Sequence, residues 1–125
     1  DYEKAEDEFR AEAQLVPGSA AAAFKLGSVL LHRGQLIPAI KELRRASELR
    51  PDMPETLLEL GKALNAAGDP ASAAESLQRL LQLEVGTQLA ATAHFQLAQS
   101  YRKLGRDADA SHELMLFQNM RKLQK

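Results

Sequence analysis

The sequence predicts an all-α chain of stacked antiparallel helix pairs, and three observations carry that expectation. One set of small and apolar residues recurs at a fixed pair of offsets. Between recurrences, apolar residues fall at the three-to-four spacing of a helix with one buried stripe. The composition suits closely approaching helices: aromatics make up 5% of the 125 residues, and Ala and Leu supply most of an apolar fraction of 45%. A β-sandwich would draw on Val, Ile, Tyr and Phe instead.

The recurrence is regular. Leu26-Gly27 returns as Leu60-Gly61, 34 residues on, and as Leu97-Ala98, a further 37 on. The same steps connect Gly34, Gly68 and Gly105, then Ala39, Ala73 and Ala110, then Leu43, Leu77 and Leu114. One step back from Ala39, Leu43 and Pro51 lies Ala5, Phe9 and Pro17, so a half unit opens the chain. The expected organisation is a single domain over 1–125, with a half unit 1–19 and full units 20–53, 54–87 and 91–124. The longer second offset places an insertion of three residues in Glu84–Leu89, where a surface loop absorbs it at small entropic cost.

Seven helices follow, at 2–15, 20–33, 36–49, 54–67, 70–83, 88–104 and 107–124. Ala23, Leu26 and Leu30 form the stripe of the second, and Ile37, Ile40 and Leu43 that of the third. Gly34, Gly68 and Gly105 sit just past the first helix of each unit, where a left-handed cap costs glycine little. Asp52 with Glu55 reads as a capping box for the fourth helix. Asp69-Pro70 reads as an N-cap and first helical residue for the fifth. Gly86 and Thr87 supply a loop residue and an N-cap for the sixth. On the seventh, Leu114, Phe117, Met120 and Leu123 share a stripe with Met115 and Leu116 beside it, which exceeds one face, so either something packs over it in a longer protein or copies pair there. Small residues at Gly27, Gly61 and Ala98 let paired helices approach closely, and Ala39, Ala73 and Ala110 do so from the other side. No unit can enclose its own stripe, so stability must come from stacking neighbours.

A net charge of −1 lacks the basic footprint of nucleic-acid binding. The charge is uneven, with residues 1–19 at −4 (six acids, two bases) and residues 101–125 at +3 (six bases, three acids). Solvated helix faces explain this, and so does head-to-tail attraction between copies or to neighbouring repeats. With no cysteine there is no disulfide framework and no thiolate metal site. No run of about 18 apolar residues exists to span a membrane. A start at Asp1 rather than Met is expected of a piece of a longer protein, so the compartment stays open, cytoplasmic and periplasmic alike.

A 34-residue helix–turn–helix with these residues resembles the tetratricopeptide repeat. The first unit carries Ala23, Leu26, Gly27, Leu30, Ala39, Leu43, Ala46 and Pro51. The second carries Leu57, Leu60, Gly61, Leu64, Ala73, Leu77 and Leu80, with Val85 where Pro is expected. The third carries His94, Leu97, Ala98, Tyr101, Ala110, Leu114 and Phe117. The resemblance implies a right-handed α-solenoid of about three and a half repeats whose first helices line a concave groove. It maps the groove onto Phe24, Lys25, Ser28 and Leu31, then Leu58, Glu59, Lys62 and Asn65, then Phe95, Gln96, Gln99 and Arg102. Ala21, His32, Glu55, Ala66, Thr92 and Lys103 hold the remaining groove positions. Phe24, Leu58 and Phe95 are equivalent, and form either an apolar strip for a peptide or helix or part of the inter-repeat core. The family's carboxylate clamp corresponds to Phe24, Ser28, Glu59, Thr92 and Gln96; none is the required Lys, Asn or Arg, and Glu59 would repel a carboxylate.

Catalysis is not expected, and neither is a cofactor or metal. His32, His94 and His112 fall in different elements, His94 as a packing residue between helices and the others as surface side chains. Gly61-Lys62 is no phosphate loop, since Thr56 stands where its upstream glycine belongs. No Ser-His-Asp set falls on converging loops. The expected function is a non-catalytic scaffold binding a protein or peptide in the groove, without nucleic-acid binding or membrane insertion. Two alternatives remain: a segment positioning a substrate or subunit in a larger enzyme, and a module self-associating through Leu116, Met120 and Leu123.

Overall fold

A computed structural model describes residues 1–83 and 86–123. The elements are α1 (Tyr2–Leu15), α2 (Ala20–His32), α3 (Leu36–Leu49), α4 (Pro54–Ala66), α5 (Pro70–Gln82), α6 (Thr87–Lys103) and α7 (Asp107–Leu123). Each helix packs on the next in sequence, and α2–α4 and α4–α6 also touch. The leading helices of successive pairs therefore share one side. The result is a right-handed α-solenoid of about three and a half repeats.

Glycine ends the leading helix of each pair. Gly34, Gly68 and Gly105 have φ of +77°, +84° and +76°. At each, the glycine N–H and the next N–H donate back to the last turn: Gly34 to Leu31 and Gln35 to Leu30, Gly68 to Asn65 and Asp69 to Leu64, Gly105 to Arg102 and Arg106 to Tyr101. This double return closes orphan carbonyls and reverses the chain. Asp69 caps α5, accepting from the Ser72 N–H. Within pairs, Gly27 and Gly61 permit close contact. A Cβ built on either would lie 2.7 Å from the partner Leu43 or Leu77 side chain.

The core runs as a chain of clusters, one per seam. Leu26, Val29 and Leu30 pack with Ala13 and Ala39, and Leu43 with Leu60, Ala63 and Leu64. Leu57, Leu77, Leu80, Leu97 and Tyr101 form the third cluster. Leu43 and Leu77 are fully buried, each covered by its own leading helix and by the next pair.

Three local expectations are corrected. Asp52 does not cap α4; Met53 is its N-cap without a side-chain hydrogen bond, because Pro54 at the first position already tolerates a missing donor. Thr87 is the first residue of α6 rather than its cap, with extended Gly86 as N-cap. Ile37 is not on the buried stripe of α3: it is 75% exposed, one turn before buried Ile40 and rotated off the core. Glu84 and Val85, in the expected insertion, lie outside the described residues, as do the last two residues.

Candidate functional site

The shared side of α2, α4 and α6 encloses one open concavity of about 450 Å³. Leu31 and His32 come from α2, Glu59, Lys62, Asn65 and Ala66 from α4, and Gln96, Gln99 and Lys103 from α6. All of them hold positions that the repeat alignment assigns to the groove. Apolar Leu31 and Ala66 lie among amides, two lysines and one carboxylate. His32 is held by a hydrogen bond between Nδ1 and the Ser28 carbonyl at 2.8 Å, and its ring lies 5.7 Å from that of Tyr2.

Asn65 is not free to meet a ligand. It is 4% exposed, and its Nδ2 donates to the Gln96 carbonyl at 3.0 Å and to Gln96 Oε1 at 3.3 Å. Its Oδ1 accepts from Ser100 Oγ at 2.8 Å, and Lys103 Nζ donates to its carbonyl. With both amide ends satisfied, Asn65 staples α4 to α6. It leaves Gln96 with its carboxamide oxygen already used and its NH2 as the free end.

The equivalent apolar residues do not form an open strip. Leu58 is 8% exposed and sits in the core beside Leu57, Leu77 and Leu97, turned into the seam rather than the groove. Phe24 is half-buried against the cluster of Leu43 and Leu60. Phe95 is half-buried, its ring 5.2 Å from Phe117 on α7. Lys25, Ser28 and Arg102 are outside the concavity, and Lys25 pairs with Glu12 at 3.8 Å. Of the self-association residues, Leu116 and Met120 are half-buried, whereas Leu123 is 81% exposed.

The flanking groups are structural. His94 Nδ1 lies 2.5 Å from Glu113 Oε2, joining α6 to α7, in keeping with a packing residue. His32 and His112 are exposed. On α1, the hydrogen bond from Arg10 holds the Glu6 carboxyl below the usual carboxylate range against partial desolvation, and Arg33 on the α2–α3 turn adds to it at 2.7 Å. Sequence reasoning missed a second, larger cleft of about 690 Å³, where Ile37, Ile40, Lys41 and Arg44 of α3 face Leu64 and Asp69. The exposed Ile37 was its signal, misread there as core.

The comparisons with known proteins agree with this architecture. A family model described as tetratricopeptide repeat matches residues 1–54, 34–84 and 58–115. No curated protein matches the chain. Among solved structures, a crystal structure of MamA superposes with a TM-score of 0.88 at 22% identity, covering 96% of this chain and 68% of that one. A MamA RS-1 ArsTM double mutant gives 0.88 at 20%, covering 100% and 68%. The MamA MSR-1 C2 structure gives 0.86 at 18%, covering 99% and 70%. At such identities the similarity is one of fold. The family matches run through nearly all of the sequence, and the chain belongs to the tetratricopeptide repeat family.

Proposed function

We propose that the chain is a non-catalytic scaffold that binds a protein or peptide in the concavity of α2, α4 and α6. One observation carries this reading: three helices from three successive pairs bring Leu31, Glu59, Lys62, Gln96, Gln99 and Lys103 to a single open surface. An elongated surface of mixed polarity suits a peptide or one helix face, which takes affinity from many modest contacts. Partner specificity resides in the polar groups, because Phe24, Leu58 and Phe95 are engaged elsewhere. A partner captured from the source lysate and then titrated calorimetrically provides the test. Glu59→Arg combined with Gln99→Arg should weaken its affinity at least about tenfold, which is about 1.4 kcal/mol, and leave helicity unchanged. Full affinity in that variant, with the loss appearing instead in Lys41→Glu on α3, would move the site to the other cleft.

A second reading is self-association of the chain through α7, which exposed Met115 and Leu123, with half-buried Leu116 and Met120, support.

A further inference from the structure

The cleft of α3 has a counterpart one repeat on, and the two are filled differently. By the repeat offsets, Ile37, Ile40 and Arg44 of α3 correspond to Ala71, Ala74 and Gln78 of α5, and Leu64 and Asp69 to Tyr101 and Arg106. In the later seam Tyr101 links α6 to α5. Its ring is buried with Ala74 and Leu77, its hydroxyl accepts from Gln78 Nε2 at 2.7 Å, and the Arg106 guanidinium lies 4.3 Å from the ring centre. In the earlier seam Leu64 has neither ring nor hydroxyl, so that link is missing. A cleft of about 690 Å³ lies open between Leu64 and Arg44.

The apolar floor has grown where the link was lost. Ile37 is exposed, whereas the same position is Ala71 and Ala108 in the other repeats, so stacking the repeats asks for no more than a methyl there. Because α3 packs against both α2 and α4, this face is not one left bare by an end of the chain. Charge gives the cleft a direction. Arg45 is taken by Glu42 and by the Pro17 carbonyl, and the Asp69 carboxylate accepts from the Ser72 N–H as the cap of α5. Lys41 and Arg44, one and two turns on from Ile37, are exposed and make no ion pair among the described residues; Glu48, likewise unpaired, stands a further turn away.

We propose that this cleft receives a tyrosine side chain from a partner peptide, with a carboxylate next to it in the peptide meeting Lys41 and Arg44. The ring covers Ile37, Ile40 and Leu64, and Arg44 donates to the phenol oxygen from the place where Gln78 donates to Tyr101. The peptide thereby completes from outside a link that the next repeat makes from its own sequence. A tyrosine suits the task because it brings a large apolar face, few rotatable bonds and one polar tip. None of the residues lining this cleft lines the concavity, so the peptide is a segment distinct from the one bound there.

The probe is a short peptide, blocked at both ends, with a central tyrosine followed by two glutamates. It is titrated into isotope-labelled protein and followed through the amide NMR spectrum. Shifts should cluster at Ile37, Lys41, Arg44 and Ala67. Replacing the tyrosine by alanine should weaken binding at least about tenfold, and replacing the glutamates by lysines should weaken it too. Ile37→Ala alters an exposed side chain, so it should leave the fold intact and weaken binding at least about fivefold. Ile40→Ala, Arg44→Gln and Leu64→Tyr together copy the later seam and should abolish binding in a chain that stays helical; if that triple variant does not fold, Ile37→Ala decides alone. No shift at millimolar peptide, equal binding of the alanine peptide, or full affinity in Ile37→Ala would overturn the proposal. Shifts at Lys62 and Gln99 instead would also overturn it, while leaving the concavity as a binding surface.

Discussion

The two seams of the concave surface occupy the same place in the repeat and are built from opposite chemistry. Between α4 and α6, Asn65 meets Gln96, Ser100 and Lys103 in a hydrogen-bonded staple. Between α2 and α4 the corresponding residues are Leu31, Glu59, Ala63 and Ala66, and no side-chain hydrogen bond crosses among the described residues; Leu31 packs against the cluster that holds Ala63 and Leu64. Dispersion and burial are non-directional, so an apolar seam tolerates small slides. A buried amide with every polar end matched tolerates few, because a lost partner leaves a desolvated orphan. One half of the groove is thus held at a fixed angle and the other is set by packing alone.

The comparison can be broken first at what the halves share. Leu43→Ala and Leu77→Ala each empty a fully buried site beneath a glycine, and each should cost about 2–5 kcal/mol in denaturant unfolding. Similar losses would mean that the seams rest on equivalent scaffolds; a clearly larger one at Leu77 would mean that the staple depends on its packing. Asn65→Leu, which copies the first seam into the second, should cost about 1–3 kcal/mol because Ser100 Oγ loses its best acceptor inside the core. Adding Ser100→Ala should recover most of that loss, and no recovery would show that the hydrogen bonds are not the origin of the cost. Thr56 sharpens the point on α4 itself. Its hydroxyl is buried with no partner among the described residues, where neighbouring repeats have buried Ala22 and Ala93. Thr56→Ala should raise stability by about 1 kcal/mol or less, measured by the same unfolding curves.

The smallest expected effect is at the α1 end. Glu6 has a lowered folded pKa, so its contribution is present above the usual carboxylate range and is lost as pH falls through the depressed value. Acidification below about pH 4 should therefore loosen α1 before the rest, and Glu6→Gln should remove that part of the pH dependence in hydrogen exchange.

What the sequence could disclose follows the range of the interaction. The turns were legible because glycine at Gly34, Gly68 and Gly105 answers a local demand for positive φ. The pair contacts were legible because Gly27 and Gly61 recur opposite Leu43 and Leu77. Repeat alignment placed the groove positions on α2, α4 and α6, the helices that line the concavity. It could not separate those facing the concavity from those turned into a seam, since Leu58 and Glu59 differ by one step around a helix. Asn65 looked like a ligand-facing amide because Ser100, which satisfies it, lies on another helix 35 residues away. Phe95 could be assigned to neither groove nor core because its partner Phe117 is set by how α7 crosses α6. Asp52 misled for the opposite reason: its local pattern fits a capping box, but Pro54 starts the helix after it.

Site-specific photocrosslinking tests the central claim most directly. A photoreactive residue placed at Gln99 or Lys62, in the concavity, should capture the bound partner, while one placed at Arg44 on α3 should not. Capture from Arg44 with none from Gln99 or Lys62 would contradict the account and put the partner on the other face of the solenoid.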